Sequence, residues 1–468
     1  MRAVREPWSI DAARDRALTA GADAAIDAFL DRLATRPHPN VWISLVPEPE
    51  LRARAAELDA HAATRRRLAL HGVPFAVKDN IDVAGMATTA AARASAYLAT
   101  SDAPVVKRLL DAGAICVGKT NLDRFAAGLS GTQSPEFGVC ANPFDARYIA
   151  GGSSSGSAVA VALGVVPIAL GTDTAGSGRI PAACCGVIGV KPTHERVSTD
   201  GVVPATPWLD TIAIFASSAR DASLVSDAGG EPDRDLRCRP APTPWRIGVP
   251  RGLAWFADRD SRRCYDAAVA RLAAGGAELH EIDLSPFLEA GALLYGSVIV
   301  GPRPTAFGGF ALEHGTSPRP AAPVDDAPTV FRSLQELAHL HSATAGIWNH
   351  VDALVVPTIA RHPTIAAALR NPRAVDRDLG TYTNFVNLLD FAAVAVPAGT
   401  RASGLPFGVT LIGPAFSDRA LLALAARFLD AAPPGPHPAP YASVSISASG
   451  SERSIEPATT TGATAVGD

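Results

Sequence analysis

Three loops of this chain carry residues that together could transfer an acyl group. VKDN (77–80) holds a lysine, Lys78; GGSSSGS (151–157) is dense in hydroxyls; GTDTAGSGR (171–179) ends a small-residue turn on Ser177. A serine hydroxyl is a weak nucleophile until a base takes its proton. No histidine adjoins these loops, since His71 precedes them and His194 follows. A lysine can be that base where burial strips its charge, and the hydroxyls of GGSSSGS could relay a proton between Lys78 and Ser177. The turn at 171–178 can aim consecutive backbone N–H groups at one point, which is the geometry of an oxyanion hole. Glycine-rich loops before helices also cradle phosphates, but neither a G-K-[ST] ending nor a G-x-G-x-x-G spacing is present.

The basic residues point the same way. Only four lysines occur, Lys78, Lys107, Lys119 and Lys191, and every other strong base is arginine. Arginine stays protonated, so a lysine retained in such a chain suits a site that needs a neutral base. For Lys107 and Lys119 a surface or structural role is as good a reading, and Lys191 in GVKPT fits a structural one. Asp173 and Arg179 flank Ser177. A buried ion pair that braces the loop is the reading favoured over contact with substrate, and breaking it would leave a lone buried charge.

Short apolar runs and helical patterns alternate around these loops. VPFAV (73–77), AICVG (114–118), residues 165–170, RIGVP (246–250), LHEIDL (279–284), VDALVVP (351–357), FAAVAVP (391–397) and LPFGVTLIG (405–413) read as buried strands. Helical spacing covers residues 11–35, 50–70, 103–113, 155–163, 260–274 and 417–430. Gly113 is placed to cap the helix before it. The alternation predicts an α/β protein with a large mixed central β-sheet covered by helices.

Composition bounds the partners. A chain of 468 residues, 47% hydrophobic with net charge −4, gives no reason to expect nucleic acid or an anionic membrane as partner. No apolar run is long enough to span a bilayer, and the N-terminus has no apolar signal core. Six cysteines show neither a C-x-x-C pair nor metal spacing, so reduced thiols, no metal and a cytoplasmic setting are expected. Three regions are expected: a helical region at 1–70, a catalytic domain at 71–432, and a disordered Pro/Ser/Thr-rich tail at 433–468. SPRPAAPVDDAP (317–328) reads as a surface connection.

VKDN, GGSSSGS and GTDTAGSGR together resemble the amidase signature family, over about residues 70–430. The resemblance implies a Ser–cis-Ser–Lys triad without metal or organic cofactor. Ser177 matches the nucleophile, Ser153 the bridging serine held by a cis peptide, and Lys78 the base. The backbone amides of Thr174, Ala175, Gly176 and Ser177 match the oxyanion hole. Ala175 and Gly178 stand where many members have Gly and Ile, a change that leaves backbone donors in place.

Four further phrases resemble the allophanate hydrolase branch: GVPFAVKDNIDVAGMATTAA (72–91), KTNLDRFAAGLSGTQSP (119–135), LGTYTNFVNLLDFAAVAVPAG (379–399) and GLPFGVTLIGPAFSD (404–418). That branch implies hydrolysis of allophanate to ammonia and carbon dioxide in urea degradation, a functional link to urea carboxylase, and a homodimer. Its substrate carboxylate is held by a tyrosine and an arginine eight residues later, matched here by Tyr295 and Arg303. Arg303 is flanked by Pro302 and Pro304, a departure from the branch. Thr132 and Gln133 of the SGTQSP loop are expected to line the site. Many members of the branch carry a further C-terminal domain, where this chain has the low-complexity tail. The N-carboxylated product is therefore expected to decarboxylate unaided or to pass to a separate protein. The same core also suits a general amidase, the glutaminase component of a tRNA-dependent amidotransferase, or a noncatalytic scaffold. The intact Lys78, Ser153 and Ser177 argue against the last.

Overall fold

The computed structural model describes residues 8–60, 66–235, 237–295 and 327–431. Thirteen strands are found among them. Those that carry the site are β1 (Trp42–Leu45), β2 (Pro74–Lys78), β5 (Ile115–Thr120), β6 (Ile168–Asp173), β7 (Ile188–Lys191) and β8 (Thr211–Ala216). Two short strands, β3 (Ala87–Thr88) and β4 (Tyr97–Leu98), form a separate ribbon. The chain then adds β9 (Arg246–Pro250), β10 (Glu278–Ile282), β11 (Ala353–Pro357), β12 (Ala392–Thr400) and β13 (Pro406–Gly413). Eleven strands make one sheet in the order β1-β5-β2-β6-β8-β7-β12-β13-β11-β9-β10. It is mixed: β2 runs parallel to β5 and β6, whereas β8 runs antiparallel to β6 and β7.

The apolar runs form strands because helices cover the sheet, and every residue of β2, β5, β6, β8 and β13 is buried. The helices Ser155–Ala162, Arg179–Cys185, Arg259–Ala274 and Asp418–Asp430 pack onto it. Helix Pro104–Asp111 ends as Gly113 predicts: Gly113 takes φ +95°, and Ala114 N donates to Leu109 O at 3.0 Å. The first helical stretch is two helices, Ile10–Ala20 and Ala22–Thr35, broken at Gly21 where φ is +92°. Asp59 Oδ2 accepts from Ala22 N there at 2.8 Å, which replaces the intrahelical bond that the break removes.

Several elements differ from the sequence pattern. The strand predicted from residue 165 begins at Ile168, because Leu163 and Gly164 first close the preceding helix. Strands β1, β7 and β8 and the helix Ala327–Ala345 are not among the elements expected from the sequence. That helix takes in the last two residues of the connection predicted at 317–328, and the others lie outside the described residues, as does the tail. One continuous core runs from Trp8 on the N-terminal side to Phe428 in the last helix. A second, aromatic cluster gathers Phe287, Tyr382, Phe385 and Phe391.

Topology brings the three loops together. Strands β2 and β6 are parallel neighbours, with Val77 opposite Leu170. Lys78 therefore leaves the sheet on the same edge as Thr172 and Asp173, at the carboxyl ends where α/β sheets place their sites.

Candidate active site

Lys78 ends β2 with no exposed surface. Its Nζ lies 2.8 Å from Ser153 Oγ and 2.6 Å from Thr172 Oγ1. Burial pushes its pKa down to about 7, against the opposing charges of Asp123, Asp210 and Asp173. A substantial share of this lysine is thus free base at neutral pH, which a general base requires. Lys107 is exposed and pairs with Asp111. Lys119 and Lys191 are buried but engaged elsewhere, Lys119 with Asp79 and Thr88, Lys191 with the carbonyls of Pro192 and Phe391.

The serines of GGSSSGS divide their work. The Gly152–Ser153 peptide is cis, and Ser153 is the one that meets Lys78. Ser154 Oγ donates to Thr172 O, and Ser157 Oγ donates to Leu170 O, so both pin the loop and its helix to β6. Ser154 N reaches Ser177 O at 3.4 Å, which puts the two serine loops in main-chain contact. Among the described residues no histidine hydrogen-bonds to Lys78, Ser153 or Ser177. The buried His362 bonds Ile149 O instead, and burial drives its pKa down to about 3.

Ser177 is buried in the turn between β6 and helix Arg179–Cys185. The expected oxyanion amides are not equivalent. Gly176 N donates to Asp173 Oδ1 at 2.8 Å, so it is withdrawn from the set. The amides of Thr174, Ala175 and Ser177 meet no acceptor among the described residues, which leaves them free to receive an oxyanion. Thr174 is fixed through its hydroxyl to Asp210.

Asp173 and Arg179 form the expected brace. Both are fully buried, and the guanidinium grips the carboxylate with Nε and Nη2, each at 2.9 Å. Burial opposes ionisation of Asp173, yet Arg179 and then Lys191 outweigh it and hold the carboxyl down to about 2. The same carboxylate accepts from the amides of Gly176, Gly178 and Arg179, and so shapes the whole turn. Sequence reasoning missed the other half of this brace. Arg179 also donates to Thr383 O and Asn387 Oδ1, Asn387 Nδ2 donates to Asp173 O, and Thr383 Oγ1 donates to Ala175 O at 2.7 Å. The phrase TYTNFVNLLD is therefore the clamp over the nucleophile loop. Its buried polar residues among apolar ones were the available signal.

Thr132 and Gln133 follow Gly131, whose backbone packs against Gly152 of the cis peptide. Gly152 N donates to Leu129 O, Thr132 Oγ1 pairs with Ser130 Oγ, and Gln133 Nε2 reaches Asp376 Oδ2 at 3.3 Å. Tyr295 closes the short helix Leu293–Tyr295, and Arg303 lies outside the described residues. The structure sets Lys78 against Ser153 and joins the Ser153 and Ser177 loops through Ser154 N, whereas Thr132 and Gln133 make no hydrogen bond to Lys78, Ser153 or Ser177 among the described residues. Among the described residues no cluster of His, Cys, Asp or Glu could hold a metal ion, and no helix is long and apolar enough to cross a membrane.

Comparison with known proteins identifies the family. The family model described as Amidase matches residues 24–303 and 321–422. The chain is 41% identical over 450 residues to urea amidolyase of Saccharomyces cerevisiae, covering 90% of this chain but only 24% of that relative. It is 35% identical over 470 residues to the A component of the glutamyl-tRNA(Gln) amidotransferase of Deinococcus deserti, covering 88% of this chain and 94% of the relative. Among solved structures it resembles Kluyveromyces lactis allophanate hydrolase, with TM-score 0.85 and 36% identity over 92% of this chain and 73% of that one.

Proposed function

The chain belongs to the amidase family, and from that premise we propose that it is an allophanate hydrolase working through Lys78, Ser153 and Ser177. The observation that carries the chemistry is the 2.8 Å contact between Ser153 and a buried lysine poised near neutrality. The likeness to allophanate hydrolase carries the substrate.

In this reading neutral Lys78 takes the Ser153 proton while Ser153 takes that of Ser177. Ser177 Oγ attacks the amide carbonyl, and the oxyanion settles against the amides of Thr174, Ala175 and Ser177. The proton then returns through Ser153 to the leaving nitrogen, and ammonia departs. Water repeats the relay on the acyl-enzyme and frees the N-carboxylated product. Tyr295 and Arg303 would hold the substrate carboxylate, since an arginine can grip it with two parallel bonds. Arg303→Ala should then raise KM for allophanate by about 10-fold or more with a smaller effect on kcat; unchanged kinetics would remove Arg303 from the site. The substrate would come from carboxylation of urea, which links the chain to urea carboxylase, and a homodimer is the expected assembly.

Full-length similarity to the A component of an amidotransferase favours a second reading, a glutaminase. Ammonia release from allophanate, malonamate, glutamine and acetamide, measured side by side, separates the two. Turnover of glutamine in preference to allophanate would overturn the first.

A further inference from the structure

Asp123 stands at the centre of the loops that aim Ser153, and the relay described above leaves it unused. It is fully buried. Its N–H donates to Ser153 O at 3.1 Å, and its carboxylate accepts from Gly131 N at 2.9 Å and Gln133 N at 2.6 Å. The carboxylate sits hard against the cis peptide: a Cβ added to Gly152 would lie 2.2 Å from Asp123 Oδ2 and 2.4 Å from Gly131 N. Only glycine allows so close an approach at that position.

We propose, resting on the relay through Lys78, Ser153 and Ser177, that Asp123 is its positioning residue, seating the Ser153 peptide and supplying a fixed negative charge for the lysine ammonium. When Ser177 Oγ bonds to the carbonyl carbon, the carbonyl π pair moves to oxygen. One proton passes from Ser177 to Ser153 and another from Ser153 to Lys78, so the amine becomes an ammonium. A buried ammonium is costly unless a countercharge is already in place. A carboxylate fixed by two amides meets that need without reorganising. A buried aspartate supports the base of a serine–histidine triad in the same way.

Asp123 and Lys78 meet the same residue, Asp123 through Ser153 O and Lys78 through Ser153 Oγ; of the charges that favour the ammonium, Asp123 comes first, then Asp210 and Asp173. Asp173 is matched by Arg179, whereas Asp210, held by Thr174 and the amides of Ala205 and Thr206, keeps its charge and adds a smaller share to that of Asp123. The neighbouring Asp79–Lys119 pair is self-compensated at 3.4 Å.

The chain's four lysines make the test direct. Lysine labelled with 13C at Cε gives one resonance per residue, and its loss in Lys78→Ala identifies the Lys78 signal. In Asp123→Asn the Lys78 midpoint should fall by about one unit, the acid limb of kcat/KM should move down with it, and kcat should drop. Asp123→Ser, whose smaller side chain leaves room for a water to serve the two amides, should show the same shift. An unmoved midpoint in a folded variant overturns the proposal, because loss of packing alone would not hold it in place. If neither neutral variant folds, the carboxylate serves the fold and the proposal also falls. Failure of the relay itself reads differently: Lys78→Ala would keep releasing ammonia.

Discussion

Lys78 is the residue on which the chemistry turns, and its burial makes pH the first test. Below a midpoint near 7 it is protonated and unable to accept, so kcat/KM should rise with pH through about 7 and level off above. Its folded pKa lies below its ordinary 10.5, so between about 7 and 10.5 the unfolded chain binds a proton that the folded chain does not. Stability from this group therefore increases with pH across that window. Lys78→Met should flatten the dependence, as urea denaturation at several pH values would show. The two serines nearest the relay separate catalysis from architecture. Ser153→Ala should reduce ammonia release by roughly four orders of magnitude. Ser157→Ala, which breaks the bonds to Leu170 O and Thr120, should keep most activity and cost about 1 kcal/mol of stability. Equal activity loss in both would contradict this division.

At the scale of elements, the nucleophile turn is held from two sides, by Asp173 at the end of β6 and by the segment around helix Asn384–Leu388. Asn387 serves Arg179, Asp173 O and Leu209 O at once. Asn387→Ala should destabilise by about 1–3 kcal/mol and lower kcat more than it changes KM, because the oxyanion amides lose their support. A change confined to KM would move Asn387 from the brace to the pocket. Arg179→Met leaves Asp173 buried and unpaired and should cost about 3–5 kcal/mol, read from the denaturation midpoint. The strands that carry these loops were legible wherever an apolar run was bounded by turn residues, as for β2, β9 and β13. Strands β7 and β8 were not read, although Gly186 and Pro192 bound IGVK, and Asp210 and Ser217 bound TIAIFA; IGVK is only four residues long and lies just after the apolar helix Arg179–Cys185. The clamp at 383–387 was visible as a phrase but not as a function, since its partners lie some 200 positions away in sequence.

Across the whole molecule, a single sheet and a continuous core join the N-terminal helices to the last helix. Trp8, Ile10, Ile26 and Phe29 are buried in that core. A chain lacking residues 1–36 should therefore fail to give a soluble, cooperatively unfolding protein; a stable, active truncation would show that the first two helices are dispensable. Helix Ala327–Ala345 joins the aromatic cluster through Leu340, while its Phe331 is 65% exposed.

By itself the sequence determined the reaction class and the alternating architecture. A lone lysine, two serine loops at a fixed offset and buried strand patterns are local features, readable without knowing what touches what. Only the tertiary structure decided which amide is lost to Asp173, how residues 383–387 clamp the nucleophile turn, and how far burial shifts Lys78. Each of these depends on groups brought together from distant strands and on the low dielectric they create around one another.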